Sequence, residues 1–273
     1  AKGGRLLHMM QVWIGEEAFR AGLKQYFTTH QYANTVGDDL WNALGAASHK
    51  DVAELMHAWI TQSGYPVIDV RLEGDELVLH QEQFFVGPHT ATDTVWPVPL
   101  DASVKELPDL FDTRELRVPF VGEDMIYLNR NNTGHFIVNY DETLRQRIIQ
   151  KLASGQLSDI QRAQFLNEQL MLARGGRLPS ASLIELLALY ADEANEKVWD
   201  TITLAIADLK RFVEADEAAE RKLRAFVATL ARAQYKRLGL NPLPGESEDD
   251  TKLRATIVSC MVYGENDEVI TEL

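Results

Sequence analysis

The hydrophobic period of this chain changes twice, and each change forces a change of fold class. Up to Ser63 the apolar residues recur at helical spacing: Leu6, Leu7, Met10 and Trp13, then Phe19, Leu23, Tyr26 and Phe27 after Gly15. Thr35 followed by Asp38 is a threonine-x-x-acid signal for a helix start, with Leu40, Trp41 and Leu44 behind it. Val52, Leu55, Met56, Trp59 and Ile60 predict a fourth helix. Gly64 and Pro66 then end the pattern, because proline lacks the amide donor and clashes with a continuing helix. Residues 64–140 read as short strands. Val67, Ile68 and Val70 lead into a Gly74-Asp75 hairpin turn, and Leu77 and Leu79 alternate with Val78 and His80. Val95 to Leu100, Glu115 to Val118, Met125 to Leu128 and Phe136 to Val138 are further strand candidates, which together predict a β-sandwich or small barrel.

From Asp141 the period returns to that of helices. Leu144, Ile148, Ile149 and Leu152 form one stripe, and Ser158 caps a second carrying Ile160, Ala163, Phe165, Leu166 and Leu170. Gly175-Gly176 stops that helix, and Pro179-Ser180 restarts the chain. Leu183, Leu186, Leu187 and Tyr190 follow, then Val198, Trp199, Ile202 and Ile206, then Leu223, Phe226, Val227, Leu230 and Tyr235. A break at Asn241-Pro242-Leu243-Pro244-Gly245 precedes a last helix from about Thr251 to Tyr263. Helices joined by short turns predict paired helices stacked as a solenoid. The expected fold class is multidomain α+β, with helices over 1–63, a β-sandwich over 64–140 and a helical domain over 141–273.

Composition narrows the function classes. At 273 residues the chain exceeds the ~250 that one core usually spans. Acidic side chains number 41 against 27 basic, giving a net charge of −14, which phosphate backbones repel; nucleic acid is not an expected partner. No run approaches the ~18 apolar residues of a membrane helix. The single cysteine, Cys260, excludes an internal disulfide framework and a cysteine zinc cluster. The opening Ala1-Lys2-Gly3-Gly4-Arg5 has neither an initiator methionine nor an apolar signal core, which reads as a start inside a longer protein. The lone cysteine and the acidic balance point to the cytoplasm.

Residues able to carry chemistry are scattered. A helical zinc-protease site needs His-Glu-x-x-His, which puts two imidazoles on one helix face; no His-Glu dipeptide occurs. The histidines are His8, His30, His49, His57, His80, His89 and His135, and His49 and His57 lie too far apart to share a metal on one straight helix. Gly245-Glu246-Ser247-Glu248-Asp249 half-matches a nucleophile elbow but has aspartate for the second glycine and no strand before it; Ser247 reads as a helix cap. Cys260 sits among apolar residues as a buried thiol. Asp93, Asp101, Glu115 and Glu123 are the carboxylates available for a glycosidase-like pair, although an acidic solvated face accounts for them better. Asn131-Asn132-Thr133 fits a glycosylation acceptor and, more simply, a turn. Arg174 and Arg177 flank two glycines, either as favourable cations at a helix C-terminus or as a positive lining of a concave peptide surface.

Four collinear stretches resemble the zinc aminopeptidases of the aminopeptidase N family. Lys2-Gly3, Leu7, Met10 and Gly15-Glu16-Glu17-Ala18-Phe19 resemble the segment that begins Tyr-x-Lys-Gly and runs to Gly-Glu-x-x-Phe. Tyr32-Ala33-Asn34-Thr35, Asp39-Leu40-Trp41, Trp59, Gln62 and Gly64-Tyr65-Pro66-Val67-Ile68 carry the most specific of the signatures. Asn132, Gly134, Phe136 and Val138-Asn139-Tyr140-Asp141 are similar to the strand that opens the family's helical part. Asp159, Arg162-Ala163-Gln164, Leu172-Ala173-Arg174, Gly176 and Gly245-Glu246-Ser247 complete the series. The resemblance implies that 1–63 are the last helices of a thermolysin-like catalytic domain, 64–140 a β-sandwich, and 141–273 the first part of a C-terminal helical domain that continues further.

The resemblance also implies which groups lie elsewhere. The family's Gly-x-Met-Glu-Asn substrate loop, its zinc motif and its third zinc ligand precede Ala1, and the tyrosine of Tyr-x-Lys-Gly would stand immediately before Ala1. No catalytic or metal-ligating residue is therefore carried onto this chain, which is expected to be inactive and to bind no stoichiometric zinc. The longer protein would remove N-terminal residues from peptides with a zinc-activated water. This portion would act as spacer and as wall of the peptide chamber, with the upstream catalytic domain and the peptide as its partners. Two rival readings are a stand-alone helical scaffold that binds peptides and an independent hydrolase built on the sandwich carboxylates.

Overall fold

The computed structural model describes residues 2–90, 92–122, 124–265 and 267–272. Eleven helices and six strands form among them, an α+β architecture. The chain divides into two compact units, Ala1–Ile149 and Gln150–Leu273.

The first unit opens with α1 (Lys2–Ile14), α2 (Glu16–Thr29), α3 (Gly37–Ser48) and α4 (Val52–Thr61). Leu6, Met9, Met10 and Ile14 bury one face of α1, while Leu7 stays exposed. The aromatic stripe expected to anchor α2 does not: Gly22 is its only buried residue, and Phe27 is 64% exposed. The two helices approach so closely there that a Cβ on Gly22 would lie 2.8 Å from the Leu44 Cα, so α2 is held through its glycine. The start of α3 also differs from expectation. Asp39, not Asp38, reaches back to the Val36 N–H at 2.9 Å, because the Thr35 hydroxyl is engaged by the Tyr26 phenol at 2.7 Å. Asp51 caps α4 by accepting from the Glu54 N–H.

Strands β1 (Pro66–Glu73) and β2 (Glu76–Gln83) form the expected hairpin around Gly74-Asp75, pairing Leu72 with Leu77 and Glu73 with Glu76. With β5 (Glu115–Pro119) and β6 (Ile137–Tyr140) they make a four-stranded sheet in the order β5-β2-β1-β6, in which β1 and β6 are parallel. Val67 and Ile68, like Leu77, Val78 and Leu79, are wholly buried in succession, so the sheet centre is covered on both faces. Val78 alternates with Leu77 and Leu79, and its face is covered as theirs is. Only Val98–Pro99 of the stretch 95–100 forms a strand, β3, and it pairs with β4 (Leu110–Phe111), a strand the sequence did not reveal. Met125 to Leu128 form no regular strand. They run beside 100–103 on single hydrogen bonds, such as Ser103 N–H to Tyr127 O at 2.9 Å, while Ile126, Tyr127 and Leu128 are buried.

Tertiary staples tie α4 and β2 to the Trp96-Pro97 segment within this unit. The Trp59 indole donates to Pro97 O at 2.8 Å and lies 6.2 Å from the Trp96 ring. Gln81, fully buried on β2, donates to Trp96 O and Thr113 O and accepts from the Trp96 N–H, each at 2.9 Å, which satisfies its amide.

Helix α5 (Glu142–Ala153) spans the division, and the second unit continues with α6 (Asp159–Arg174), α7 (Ser182–Ala188), α8 (Glu196–Val213), α9 (Glu217–Leu238), α10 (Glu248–Tyr263) and α11 (Asp267–Glu272). Ser158 caps α6 with a reciprocal bond from Gln161, as its sequence predicts. Asn195, Asp216 and Ser247 cap α8, α9 and α10. Helix α10 therefore starts three residues before the Thr251 expected, and α11 was not anticipated. The core is Val198, Trp199 and Ile202 of α8 against Leu223, Val227 and Leu230 of α9 and Leu253, Ile257 and Met261 of α10. Gly264 permits the end of α10 to meet α9: a Cβ there would lie 2.5 Å from Ala228 Cβ and 3.0 Å from Arg224 O.

Candidate functional site

The residues singled out by sequence do not converge. His8, His49, His57 and His89 are exposed, His30 follows α2 against the Tyr26 ring, and His80 is half-buried on β2. The carboxylates have separate arginine partners. Asp93 lies 3.5 Å from Arg114, Asp101 accepts from Arg130 at 2.9 Å, and Glu115 accepts from Arg117 at 2.9 Å. Glu123 lies outside the described residues, as does Ala1. Asp101 also receives both the backbone and side-chain amides of Asn131, which places Asn131 in a braced turn.

Ser247 is no nucleophile elbow: its hydroxyl accepts the Asp250 N–H at 3.0 Å as a cap. The neighbouring Glu246 is the tightly held group. It accepts from Arg254, the Leu243 N–H and Thr251, and the Arg254 guanidinium above all pulls its carboxyl down to about 2. Cys260 is buried, and burial pushes its thiol up to about 11, away from a reactive thiolate. Arg174 is paired with Asp208 at 2.5 Å.

One polar junction in the first unit was not visible in sequence. It surrounds the first turn of α1. Lys2 Nζ donates to Gln62 O and Gly64 O, each at 3.3 Å. Arg5 donates through Nε and Nη2 to Gly134 O at 3.1 and 3.0 Å, and through Nη2 to the Asn132 side-chain oxygen. His135 lies beside them, with its ring 4.9 Å from Tyr65 and 5.9 Å from Trp59. Burial, then the charges of Arg5 and Lys2, lower it to about 4, so the imidazole is neutral near pH 7. The one sequence signal was two cations and no acid in the first turn of a helix, against the macrodipole. At the other end of α1, Lys50 donates to Trp13 O at 2.7 Å and covers the Trp13 ring. Two clefts of about 420 and 510 Å³ adjoin Trp13; the larger holds Asp51, Glu54, Asp109 and Asp112.

In the second unit one deeply buried charge is Glu193, whose side chain is 4% exposed. It accepts from Arg162 Nε and Nη2 at 2.6 and 3.0 Å and from the Ala194 and Asn195 N–H groups. The Tyr190 phenol, raised by burial, donates to Arg162 O. This knot fixes the entry to α8.

Among the described residues no group of three or more His, Cys, Asp or Glu side chains is placed to hold a metal ion, so these residues do not fit a zinc centre. No described helix is long and apolar enough to cross a membrane.

Comparison with known proteins accounts for nearly all of the chain. Residues 1–59 match the Peptidase family M1 domain, and residues 125–273 match the ERAP1-like C-terminal domain. An aminopeptidase N of Lactococcus lactis subsp. lactis is 38% identical over 96% of this chain and 31% of its own length. The aminopeptidase N of Lactobacillus delbrueckii subsp. lactis is 36% identical over 97% of the chain and 32% of its length. The tricorn protease-interacting factor F2 of Thermoplasma volcanium is 30% identical over 97% and 33%. The chain spans about a third of the length of these curated relatives.

Proposed function

The chain belongs to the ERAP1-like C-terminal domain family, preceded by the closing stretch of a peptidase family M1 domain, and from that premise we propose that it is a non-catalytic portion of a zinc aminopeptidase. The longer protein would remove N-terminal residues from peptides, with a metal-bound water as nucleophile. One observation carries this reading: the two matches lie within one chain in the order peptidase domain, then C-terminal domain, and relatives called aminopeptidase N align with almost all of it.

In this reading residues 1–63 are the last helices of the catalytic domain and 64–140 are a β-sandwich spacer. Residues 141–273 begin a helical solenoid that walls the peptide chamber. The covered sheet centre and the staples from Trp59 and Gln81 suit a structural spacer. The capped helices α6, α8, α9 and α10, with α6 on α8, α8 on α9 and α9 on α10, suit a stacked wall. The reacting groups and the zinc ligands lie upstream, and the partners of this portion are that catalytic domain and the peptide. The single buried cysteine and the acidic balance favour a cytoplasmic location.

The test compares the 273-residue chain with the full-length protein for metal content and alanyl-peptide hydrolysis. An active, zinc-loaded long form beside an inert short form is the expected result. Hydrolysis by the short chain would overturn the proposal.

A further inference from the structure

A pocket of about 290 Å³ opens where α8, α9 and α10 meet in the second unit. Ile206 of α8, Val227 of α9 and Cys260 of α10 are buried and form its apolar wall, and the half-buried Tyr263 ring adds an aromatic one. The volume sits at the lower end of the ~300–1,000 Å³ that ligand pockets span. A cavity of about 150 Å³ already admits benzene, so the space suits a body of a few carbon atoms.

One charged side chain lines the pocket, Lys210 in the last turn of α8. Its ammonium rests 3.5 Å from the centre of the Tyr263 ring and, among the described residues, has no ion pair or hydrogen bond. The other cation at that ring, Arg224, is held by Glu220 and Glu265 at 2.6 Å each. The helix dipole favours a cation at Lys210, and the ring holds the ammonium at the pocket without neutralising it. The lining hydroxyls divide. Thr203 donates to Asp200 O and Ser259 to Ala255 O, each at 2.8 Å, so both spend their hydrogen within their own helix. The half-buried Thr256 hydroxyl makes no hydrogen bond among the described residues and keeps its hydrogen to donate.

An ammonium and one hydroxyl donor above an apolar wall select an anion with an alkyl tail. The lining holds no carboxylate, so the ammonium of a free amino acid would find no counter-ion there. We propose that the pocket between α8, α9 and α10 binds a small aliphatic monocarboxylate, with the carboxylate on Lys210 and Thr256 and the alkyl end on Ile206, Val227 and Cys260. This goes beyond the aminopeptidase reading and does not rest on it.

The test titrates the 273-residue chain calorimetrically with 4-methylpentanoate. The acid is taken to roughly 10 mM, because a ligand of this size binds near ~1 mM. Cys260, the sole cysteine, locates the binding: at the top concentration its alkylation by neutral iodoacetamide at alkaline pH should slow at least about fivefold. 4-Methylpentanamide, which has the shape without the charge, and leucine, which adds the ammonium, should each slow it less than about twofold. Lys210→Met is expected to raise Kd for the acid at least about tenfold, Thr256→Val about threefold or more, and Lys210→Arg to stay within about threefold. The comparison of acid with amide uses the wild-type chain, so it stands whether or not a variant folds. If Cys260 resists the reagent, the order of Kd values across ligands and variants decides. Neither heat nor protection at the top concentration, an amide or leucine that binds as well as the acid, or binding that survives Lys210→Met overturns the proposal.

Discussion

Replacing Arg162 with methionine should unfold the second unit far more easily than a surface arginine would. Glu193 would be left with a carboxylate 4% exposed and only two backbone N–H donors. Breaking a buried ion pair by removing one partner costs about 3–5 kcal/mol, because the remaining charge stays in a medium of low dielectric. The lower end applies here, since Arg162 keeps 25% of its side-chain surface in water and water can enter as it leaves. With a urea slope of about 2 kcal/mol per molar, a loss of about 3 kcal/mol lowers the midpoint by about 1.5 M. Trp199 is the natural reporter. It is the sole tryptophan between Gln150 and Leu273, is fully buried, and donates its indole N–H to Glu193 O at 2.8 Å. Incorporation of fluorotryptophan separates its ¹⁹F signal from those of Trp13, Trp41, Trp59 and Trp96. Adding Glu193→Gln to Arg162→Met removes the charge and keeps an acceptor for Ala194 and Asn195. The combined variant should fall within about 1 kcal/mol of wild type. A single variant that loses less than about 1 kcal/mol, or a second substitution that recovers nothing, would refute the buried-charge argument.

Gly264→Ala should destabilise the second unit by about 1–3 kcal/mol, because the new methyl meets Ala228 Cβ and the Arg224 carbonyl, and backbone does not yield cheaply; urea unfolding followed by Trp199 reads the loss. His135 gives the first unit a pH dependence. Its folded value of about 4 lies below the ordinary 6.5, so between these the unfolded chain binds more protons and stability rises with pH. The stability is fully present above about 6.5 and is lost as pH falls towards about 4. The ring is half-exposed, so the effect is smaller than the full shift implies, and His135→Phe should flatten the slope of urea midpoint against pH in that window.

Much of the layout was legible because its causes are local. Ser158 with Gln161 and Ser247 with Asp250 cap helices by contacts within three residues, and Gly74-Asp75 turns a hairpin between two apolar runs. Where a distant residue competes, the local reading fails. Thr35 would cap α3 were Tyr26 not holding its hydroxyl. Phe27 lies on the expected face of α2, yet the close approach at Gly22 decides which side faces α3. Strand β4 is two residues long and exists through its pairing with Val98 and Pro99, which no period can announce. The functional residues divide likewise. The resemblance to aminopeptidases was readable in the collinear order of motifs such as Trp59, Gln62 and Gly64-Tyr65-Pro66, and the matches at 1–59 and 125–273 agree with it.

By itself the sequence determined the succession of helices, strands and helices, the caps at Ser158 and Ser247, and membership of a peptidase lineage. All three rest on residue types read over a few neighbours or in linear order. Only the tertiary structure decided that Arg5 meets Gly134 across 129 positions, that Glu193 is neutralised by Arg162, and that Val78 is as buried as Leu77 and Leu79. Those outcomes depend on which surfaces exclude water when distant segments close on one another, and a carboxylate or guanidinium carries no mark in the chain of the partner that burial will give it.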